Sequence, residues 1–332
     1  MKTRPLGTSG IETSVIGLGT WVLGGDDCWG ANPDDAEAVR TIQASLDAGI
    51  NLIDTAPAYG FGHSEEVVGK AIQGRREQAV IATKCGLWWD GERGSFFCEY
   101  SGKPMYRCVE AVSIQEEVER SLERLGVDAI DLYQVHWPAI PPRKTPIEET
   151  MGCLMALKDQ GKIRAIGVSN VSLEEMKEYN LYGVVDTNQP RYSMLYRGIE
   201  EEILPYCAAH QISTLAYMPL EQGLLTGKVG VDRKFKENEF RSNPDWNPWF
   251  TRENRQRILT MLQGWSDLLE TYQCTVAQLA IAWTISQPGV THALCGARRV
   301  EQTLENAKAG TIELRKEDIA RIRRDAESLG TP

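Results

Sequence analysis

The chain has 332 residues, of which 42% are hydrophobic and 25% charged, and its formal net charge is −10. This composition excludes collagen-like and disordered chains, and the acidic balance argues against non-specific nucleic-acid binding, which needs a broad basic surface. No run approaches the roughly 18 apolar residues of a membrane span, and the first residues lack the apolar core of a signal peptide. We therefore expect a cytoplasmic protein that acts on a small molecule.

Eight short aliphatic runs alternate with longer helix-like segments along the chain. Runs of this length, bounded by breaking residues, are typical of buried strands in a parallel sheet covered by helices. The runs are residues 15–20, 50–54, 79–84, 129–136, 163–168, 184–189, 213–217 and 291–295.

The segments between these runs carry helix signals. Asn32, Pro33 and the two aspartates after them predict a capped helix start, and Gly49 predicts its end. Further helices are predicted from residue 64 and at residues 114–125, 151–160, 252–272, 275–286 and 317–329. Residues 1–13 predict a hairpin that closes one barrel end, and residues 85–112 and 220–250 predict long loops over a site.

Length alone suggests two domains of about 150 residues. The repeat of strand, helix and glycine instead favours one α/β domain over residues 1–332, a single (β/α)8 TIM barrel with an N-terminal hairpin and extra C-terminal helices. The oligomeric state is not readable from the sequence.

Cysteine and histidine spacing argues against a metal site. The eight cysteines form no C-x-x-C pair, and none of the four histidines has H-x-x-x-H spacing. Reduced thiols are the expected state, although Cys98 and Cys108 lie in the same long loop and leave a redox pair open.

Charged or polar side chains close three successive strand runs. Asp54 ends the second run, Lys84 the third and His136 the fourth. In a parallel barrel these ends share the face where active sites are built, so we expect the three side chains to converge, with Tyr59 folding back over them. A neighbouring ammonium lowers the pKa of a phenol by favouring phenolate. Such a group is suited to protonating an oxygen that gains charge, and His136 can bond that oxygen or relay a proton.

Five segments in chain order resemble the signature of the aldo-keto reductases. They are DTAPAY with the following GFGHSEEVVG at residues 54–69, ATK at 82–84, DLYQVHW at 131–137, GKIRAIGVSN at 161–170 and GARRVEQTLEN at 296–306. The chain is most similar to the bacterial branch with inositol-locus and general-stress members. The resemblance implies an NAD(P)H-dependent carbonyl reductase without a Rossmann domain, which fits the absence of a G-x-G-x-x-G motif.

The resemblance also implies roles for individual residues. Tyr59 is the implied general acid/base, with Asp54, Lys84 and His136 as its catalytic partners. The implied cofactor-binding residues are Gly19, Thr20, Trp21, Asp54, Ser169, Asn170, Gln189, Tyr217, Pro219, Leu220, Gln222, Gly223, Leu225, Lys228, Gly296, Arg298, Gln302, Glu305 and Asn306. Candidate substrate contacts are Trp21, Trp29, Tyr59, Trp88, His136 and Trp137, with Trp249 as a further flat wall.

Cofactor preference depends on two of these residues. A guanidinium at Arg298 can pair with a 2′-phosphate, which favours NADP(H). Glu305 can accept a hydrogen bond from a free ribose hydroxyl and disfavours a phosphate, which leaves NAD(H) open. The physiological substrate and direction are not readable.

Two other functions fit the same residues less well. One is a cofactor-sensing regulatory subunit on a reductase fold, for which no added docking segment is seen. The other is a lyase with Lys84 as a Schiff base, which needs a neutral lysine that Asp54 opposes.

Overall fold

The computed structural model describes residues 1–25, 27–29, 34–237 and 239–332. Within these ranges the chain forms thirteen strands and eleven α-helices. The strands are β1 (Thr3–Pro5), β2 (Glu12–Ser14), β3 (Ile16–Gly19), β4 (Leu52–Asp54), β5 (Val80–Cys85), β6 (Leu87–Trp88), β7 (Ser95–Tyr100), β8 (Lys103–Arg107), β9 (Ile130–Val135), β10 (Ile163–Ser169), β11 (Thr187–Gln189), β12 (Ser213–Tyr217) and β13 (His292–Gly296). The helices are α1 (Asp35–Asp47), α2 (His63–Ile72), α3 (Ala111–Leu125), α4 (Ile147–Asp159), α5 (Leu173–Tyr182), α6 (Ile203–Ala209), α7 (Arg252–Gln263), α8 (Ser266–Tyr272), α9 (Val276–Ile285), α10 (Val300–Ala309) and α11 (Lys316–Ser328).

Eight parallel strands close into a barrel in the order β10-β11-β12-β13-β3-β4-β5-β9. Each coincides with one of the eight predicted runs, so the predicted (β/α)8 architecture is confirmed. The predicted runs begin too early at β4 and β11. Before β4, the side chain of Asn51 accepts a hydrogen bond from the backbone N–H of Ser14 (2.7 Å), which ties the segment to the N-terminal hairpin.

The N-terminal hairpin closes the end of the barrel where the strands begin. β1 and β2 pair antiparallel, and Leu6 and Ile11 between them pack against the apolar side chains inside the barrel. The guanidinium of Arg4 donates to the carbonyl oxygens of Val290 (3.0 Å) and Thr291 (2.8 Å), just before β13. The predicted hairpin is therefore found, and the opposite end of the barrel stays open.

Most predicted helices are present with shifted ends. The prediction of a single helix over residues 252–272 is wrong. The cap of α1 is Asp34, which accepts from the N–H of Glu37, whereas the predicted cap Asn32 and Pro33 lie outside the described residues. Residues 252–272 form two helices instead of one, because the chain turns to bury Trp265 completely. The Trp265 indole N–H there donates to Asp325 at 2.8 Å.

The predicted long loop at residues 85–112 contains a small antiparallel sheet of order β6-β8-β7. Cross-strand aromatic pairs stabilise such sheets, and Tyr106 lies opposite Phe96 on one side and Trp88 on the other. Cys98 lies opposite Met105 across the sheet, and Met105 comes three residues before Cys108 in the chain. Cys98 and Cys108 are both free thiols. No helix in the described part of the chain has the length and apolarity that crossing a bilayer requires.

Gly7 provides a test of how tightly the hairpin closes the barrel. A Cβ at this position would lie 2.2 Å from the carbonyl oxygen of Asp186, and its φ of +54° is left-handed. We expect Gly7→Ala to lower the free energy of unfolding by about 2–4 kcal/mol, from strain and displacement together. Gly10→Ala is the control, because its φ is also positive but no atom lies within 4 Å, and it should cost about 1 kcal/mol. Equal losses in urea denaturation would contradict the packing argument.

Candidate active site

A cleft of about 1250 Å³ opens at the carboxyl ends of the barrel strands. Residues that end or follow the strands line it, because successive parallel strands all finish at this face. Asp54, at the end of β4, and His136, just after β9, both contribute to its wall.

Lys84 holds together a polar cluster behind the wall of the cleft. Its ammonium donates to Asp54 Oδ1 (2.7 Å), to the backbone carbonyl of Thr55 (2.9 Å) and to the Tyr59 hydroxyl (3.2 Å). The lysine is fully buried, and burial lowers its pKa below the usual value while the Asp54 charge opposes that shift. Asp54 and Lys84, which were predicted to converge from separate strand ends, do lie together, and Tyr59 folds back onto them as predicted.

Two glutamine side chains fix the second oxygen of Asp54. Gln189 donates from Nε2 to Asp54 Oδ2 (2.8 Å) and to Gln134 Oε1 (3.3 Å), and Gln134 donates to the same carboxylate oxygen (3.2 Å). Both of these hydrogen bonds occupy the side-chain nitrogen of Gln189. Its side-chain oxygen Oε1 remains to accept a hydrogen bond from a ligand.

Gln134 is a site residue that was not predicted from the sequence. Alternate residues of a strand face the same side, so Leu132 inside the barrel predicts that Gln134 points inward too. The inward-facing position of this glutamine, two residues before His136, could have predicted that it belongs to the site.

His136 is half-buried and packs edge-on against Tyr59, with 5.7 Å between ring centroids. Burial, and then the positive charges of Lys84 and Arg107, hold the pKa of His136 well below its ordinary value. The imidazole is therefore neutral at pH 7. Its N–H can donate a hydrogen bond to a carbonyl oxygen without transferring the proton.

The turn that carries Tyr59 is fixed by close backbone contact. Gly60 has φ +64°, and a Cβ there would lie 1.6 Å from the carbonyl oxygen of Gly24. Below the turn, the Ser64 hydroxyl bonds Thr20 Oγ1 (2.7 Å) and Thr55 Oγ1 (2.9 Å). Tyr59 is thus held over Lys84 by two chain segments.

Asn170 connects three polar groups in the wall of the cleft. Asn170 donates to the carbonyl oxygen of His136 (3.0 Å) and to Ser169 Oγ (3.0 Å), and it accepts from the Tyr217 hydroxyl (2.8 Å). Asn170 has a left-handed φ of 56°, which turns the chain sharply at the end of β10. The side chain of Asn170 therefore connects the end of β10 to the segments of His136 and Tyr217.

Charged groups gather at one end of the cleft. Arg298 lines the cleft and donates to the carbonyl oxygen of Trp29, whereas the neighbouring Arg299 is exposed. Lys228 pairs with Glu305 at 3.1 Å. An anionic group bound at this end would meet two cations, Arg298 and Lys228, and the carboxylate of Glu305.

The sequence-predicted residues divide into those that line the cleft and those that do not. The cleft is lined by Gly19, Trp21, Trp29, Asp54, Tyr59, His136, Trp137, Ser169, Asn170, Gln189, Tyr217, Pro219, Leu220, Gln222, Gly223, Lys228, Gly296, Arg298, Gln302, Glu305 and Asn306. Thr20, Lys84, Trp88, Leu225 and Trp249 do not line it. Trp88 instead packs beneath the guanidinium groups of Arg93 and Arg120.

The model of the Aldo/keto reductase family matches residues 15–326. The chain belongs to the aldo-keto reductase family. Its sequence is 44% identical over 330 residues, 99% of both chains, to an NADH-specific methylglyoxal reductase of Escherichia coli (strain K12).

Solved structures of other aldo-keto reductases share the fold. A glycerol dehydrogenase from Gluconobacter oxydans matches with a TM-score of 0.86 and 38% identity, covering 98% of this chain and 95% of that one. An aldo/keto reductase from Klebsiella pneumoniae in complex with NADP and acetate matches with a TM-score of 0.71 and 29% identity, covering 100% and 97%. This aldo-keto reductase is therefore an oxidoreductase.

The described part of this aldo-keto reductase contains no group of three His, Cys, Asp or Glu side chains that could hold a metal ion. A buried acid does lie behind its active site. Glu117 of α3 accepts from the backbone N–H of Gly86, at 3.0 and 3.2 Å, just beyond Lys84 on the chain. Burial raises the pKa of Glu117 to about 8.

This raised pKa predicts a pH-dependent stability. Between about pH 5 and 8 the folded protein keeps a proton on Glu117 that the unfolded chain releases, so stability falls as pH rises. We expect Glu117→Gln to gain stability relative to the wild type with rising pH, by up to about 1.4 kcal/mol per unit. Urea denaturation at four pH values measures this. The exposed Glu123→Gln on the same helix is the control, and a constant difference for Glu117→Gln would contradict the assignment.

Proposed function

We propose that this chain reduces an aldehyde or ketone to an alcohol with NAD(P)H, and that Tyr59 is the general acid. The observation that carries the proposal is the Tyr59 hydroxyl 3.2 Å from the Lys84 ammonium, which is itself 2.7 Å from Asp54. This is the arrangement that stabilises a phenolate after it has given up its proton.

The residues around the cleft fit a nicotinamide dinucleotide. Gln189 presents a carbonyl oxygen, because its amide nitrogen is held by Asp54 and Gln134. Gln222 Oε1 is buried in the cleft wall without a partner among the described residues. Arg298 and Lys228 supply positive charge for phosphate groups at the opposite end.

The protein's part in the reaction is to place and move one proton. A nicotinamide cofactor held by the cleft would supply a hydride for the carbonyl carbon. Tyr59 donates its hydroxyl proton to the carbonyl oxygen, while the neutral imidazole of His136 bonds that oxygen and orients it. The Lys84 ammonium then stabilises the phenolate of Tyr59, and Asp54 holds the ammonium in place. Hydride and proton together convert the carbonyl to the alcohol.

Tyr59→Phe tests the acid directly. We expect kcat to fall by about 10²- to 10⁴-fold, because proton transfer is lost, whereas the cofactor Kd from tryptophan fluorescence changes less than threefold. Tyr100→Phe removes another phenol that lines the cleft and should lower kcat less than tenfold. An unchanged kcat in Tyr59→Phe would refute the mechanism.

We further propose that the cleft prefers NADPH, through a pairing of Arg298 with the 2′-phosphate. The Escherichia coli relative is named as NADH-specific and the Klebsiella pneumoniae neighbour holds NADP, so the two relatives point in different directions. A higher kcat/KM with NADH than with NADPH would overturn this preference.

Glu305 should weaken NADPH binding through like-charge repulsion. We expect Glu305→Gln to lower the KM for NADPH relative to that for NADH by about 5- to 10-fold, since it removes a carboxylate and releases Lys228. Glu301→Gln, an exposed acid in the first turn of the same helix, is the control. An unchanged ratio of the two KM values would show that Glu305 does not face the phosphate.

We propose methylglyoxal as a candidate substrate, because the relative at 44% identity is named as a methylglyoxal reductase. A cofactor-oxidation screen should therefore include methylglyoxal with other aldehydes, sugars and ketosteroids. Tight cofactor binding with negligible turnover across this screen would instead support the regulatory-subunit alternative. The Schiff-base alternative is disfavoured, because Asp54 bonds the Lys84 ammonium and favours its charged form.

We also propose that the protein works in the cytoplasm. The seven cysteines from Cys85 to Cys295 are free thiols. Thiols persist in this state in reducing compartments.

A further inference from the structure

A strained segment, residues 218–223, directly follows β12. Met218, Glu221 and Gln222 in this segment have left-handed φ values of 58°, 43° and 56°. Such values are uncommon for residues other than glycine, and the described part of the chain contains eight of them. Because three of the eight fall within six positions, the backbone strain is concentrated in this segment.

The same segment forms part of the cleft wall. Its residues that line the cleft are Met218, Pro219, Leu220, Gln222 and Gly223. Glu221, in the middle of this run, does not line the cleft and is 1% exposed. Its carboxylate therefore lies behind the wall that the neighbouring residues form.

Two side chains that follow β11 bond the buried carboxylate of Glu221. The Arg191 guanidinium donates to Oε1, and the Ser193 hydroxyl donates to Oε2. The Ser193 hydroxyl also accepts from the backbone N–H of Leu195 at 3.2 Å, which fixes it in a turn. Both carboxylate oxygens are thus bonded, as a buried charge requires, and the segment after β12 is connected to the segment after β11.

The backbone around Arg191 is fixed where the strained segment begins. The N–H of Tyr217 donates to the carbonyl oxygen of Pro190 (3.0 Å), and the N–H of Tyr192 donates to that of Tyr217 (3.2 Å). The Arg191 guanidinium carbon lies 4.6 Å from the ring centroid of Tyr196. The segment therefore leaves β12 from a fixed point, and Glu221 connects it back to that point four residues later.

This connection explains how the strained shape persists. Left-handed backbone at residues other than glycine is kept only where surrounding contacts determine it. Without the carboxylate of Glu221, the segment would relax and the residues on its cleft side would move with the backbone. A ligand would then have to restore the shape as it binds, so its apparent Kd would rise in inverse proportion to the fraction of molecules that keep that shape.

We propose that Glu221 is a positioning residue, which holds residues 218–223 in the shape that receives the nicotinamide cofactor before the cofactor binds. The inference rests on the proposed reductase function and deepens it. Glu221 acts through the backbone of its neighbours and has no part in proton or hydride transfer.

Glu221→Gln tests this role, because the amide keeps the size of the side chain and can accept from Ser193 but does not pair with the charge of Arg191. We expect the cofactor Kd, from tryptophan fluorescence, to rise about 10-fold, which corresponds to a competent fraction of about one tenth. The titration uses NADPH or NADH, whichever binds the wild type more tightly. At saturating cofactor, kcat should be at least half the wild-type value, since the bound complex has the same shape. Glu221→Ala loses both bonds and should raise Kd further.

Glu200→Gln is the matched control. The Glu200 carboxylate also bonds an arginine and a hydroxyl, because it accepts from Arg323 (2.7 and 2.9 Å) and from Tyr192 (2.6 Å). These bonds connect the chain after β11 to α11 instead of to the cleft wall. Glu200→Gln should lower the urea midpoint while its cofactor Kd stays within twofold of the wild type. A purely structural role would give Glu221→Gln this same pattern.

Several results would overturn the proposal. They are a Kd of Glu221→Gln within twofold of the wild type, an equal rise in Kd for Glu200→Gln, or a rise in Kd with a kcat below half the wild-type value. Tighter binding in Glu221→Gln would also overturn it, because the unpaired charge of Arg191 and not the shape of the segment would then govern affinity.

Cofactor binding is measured without turnover, so the two proposals can fail separately. A wild type that binds the cofactor but reduces no carbonyl compound in the screen, together with weakened binding in Glu221→Gln, would refute the reductase function and retain the positioning role of Glu221.

Discussion

The buried ion pair between Lys84 and Asp54 is the interaction on which the site depends. A fully buried ammonium is costly unless its charge and hydrogen bonds are met, and Asp54, Thr55 and Tyr59 meet them. One cation therefore brings together side chains from two strand ends and the following turn. The same charge that stabilises the fold here is the charge that a phenolate at Tyr59 would need.

The barrel makes this arrangement rigid. β4, β5 and β9 are neighbours in the closed sheet, so Asp54, Lys84 and His136 are fixed to hydrogen-bonded strands. Gln134 and Gln189 then connect β9 and β11 to the carboxylate across the barrel interior. Because the hairpin closes the opposite end, ligands have access from the cleft.

Electrostatics near the site differ from those of the whole chain. The protein carries a net charge of −10, yet burial and the positive charges of Lys84 and Arg107 together lower the pKa of His136. Local positive charge of this kind favours an oxygen that gains negative charge during reduction, and it favours anionic parts of a substrate or cofactor.

The sequence by itself determined the barrel and its catalytic face, because eight aliphatic runs and the polar residues that end them are local patterns. It also predicted which motif residues meet. Only the tertiary structure decided the role of Gln134, the small sheet over the cleft and the place of Trp88 outside it, since these depend on which face of a strand or loop packs against another.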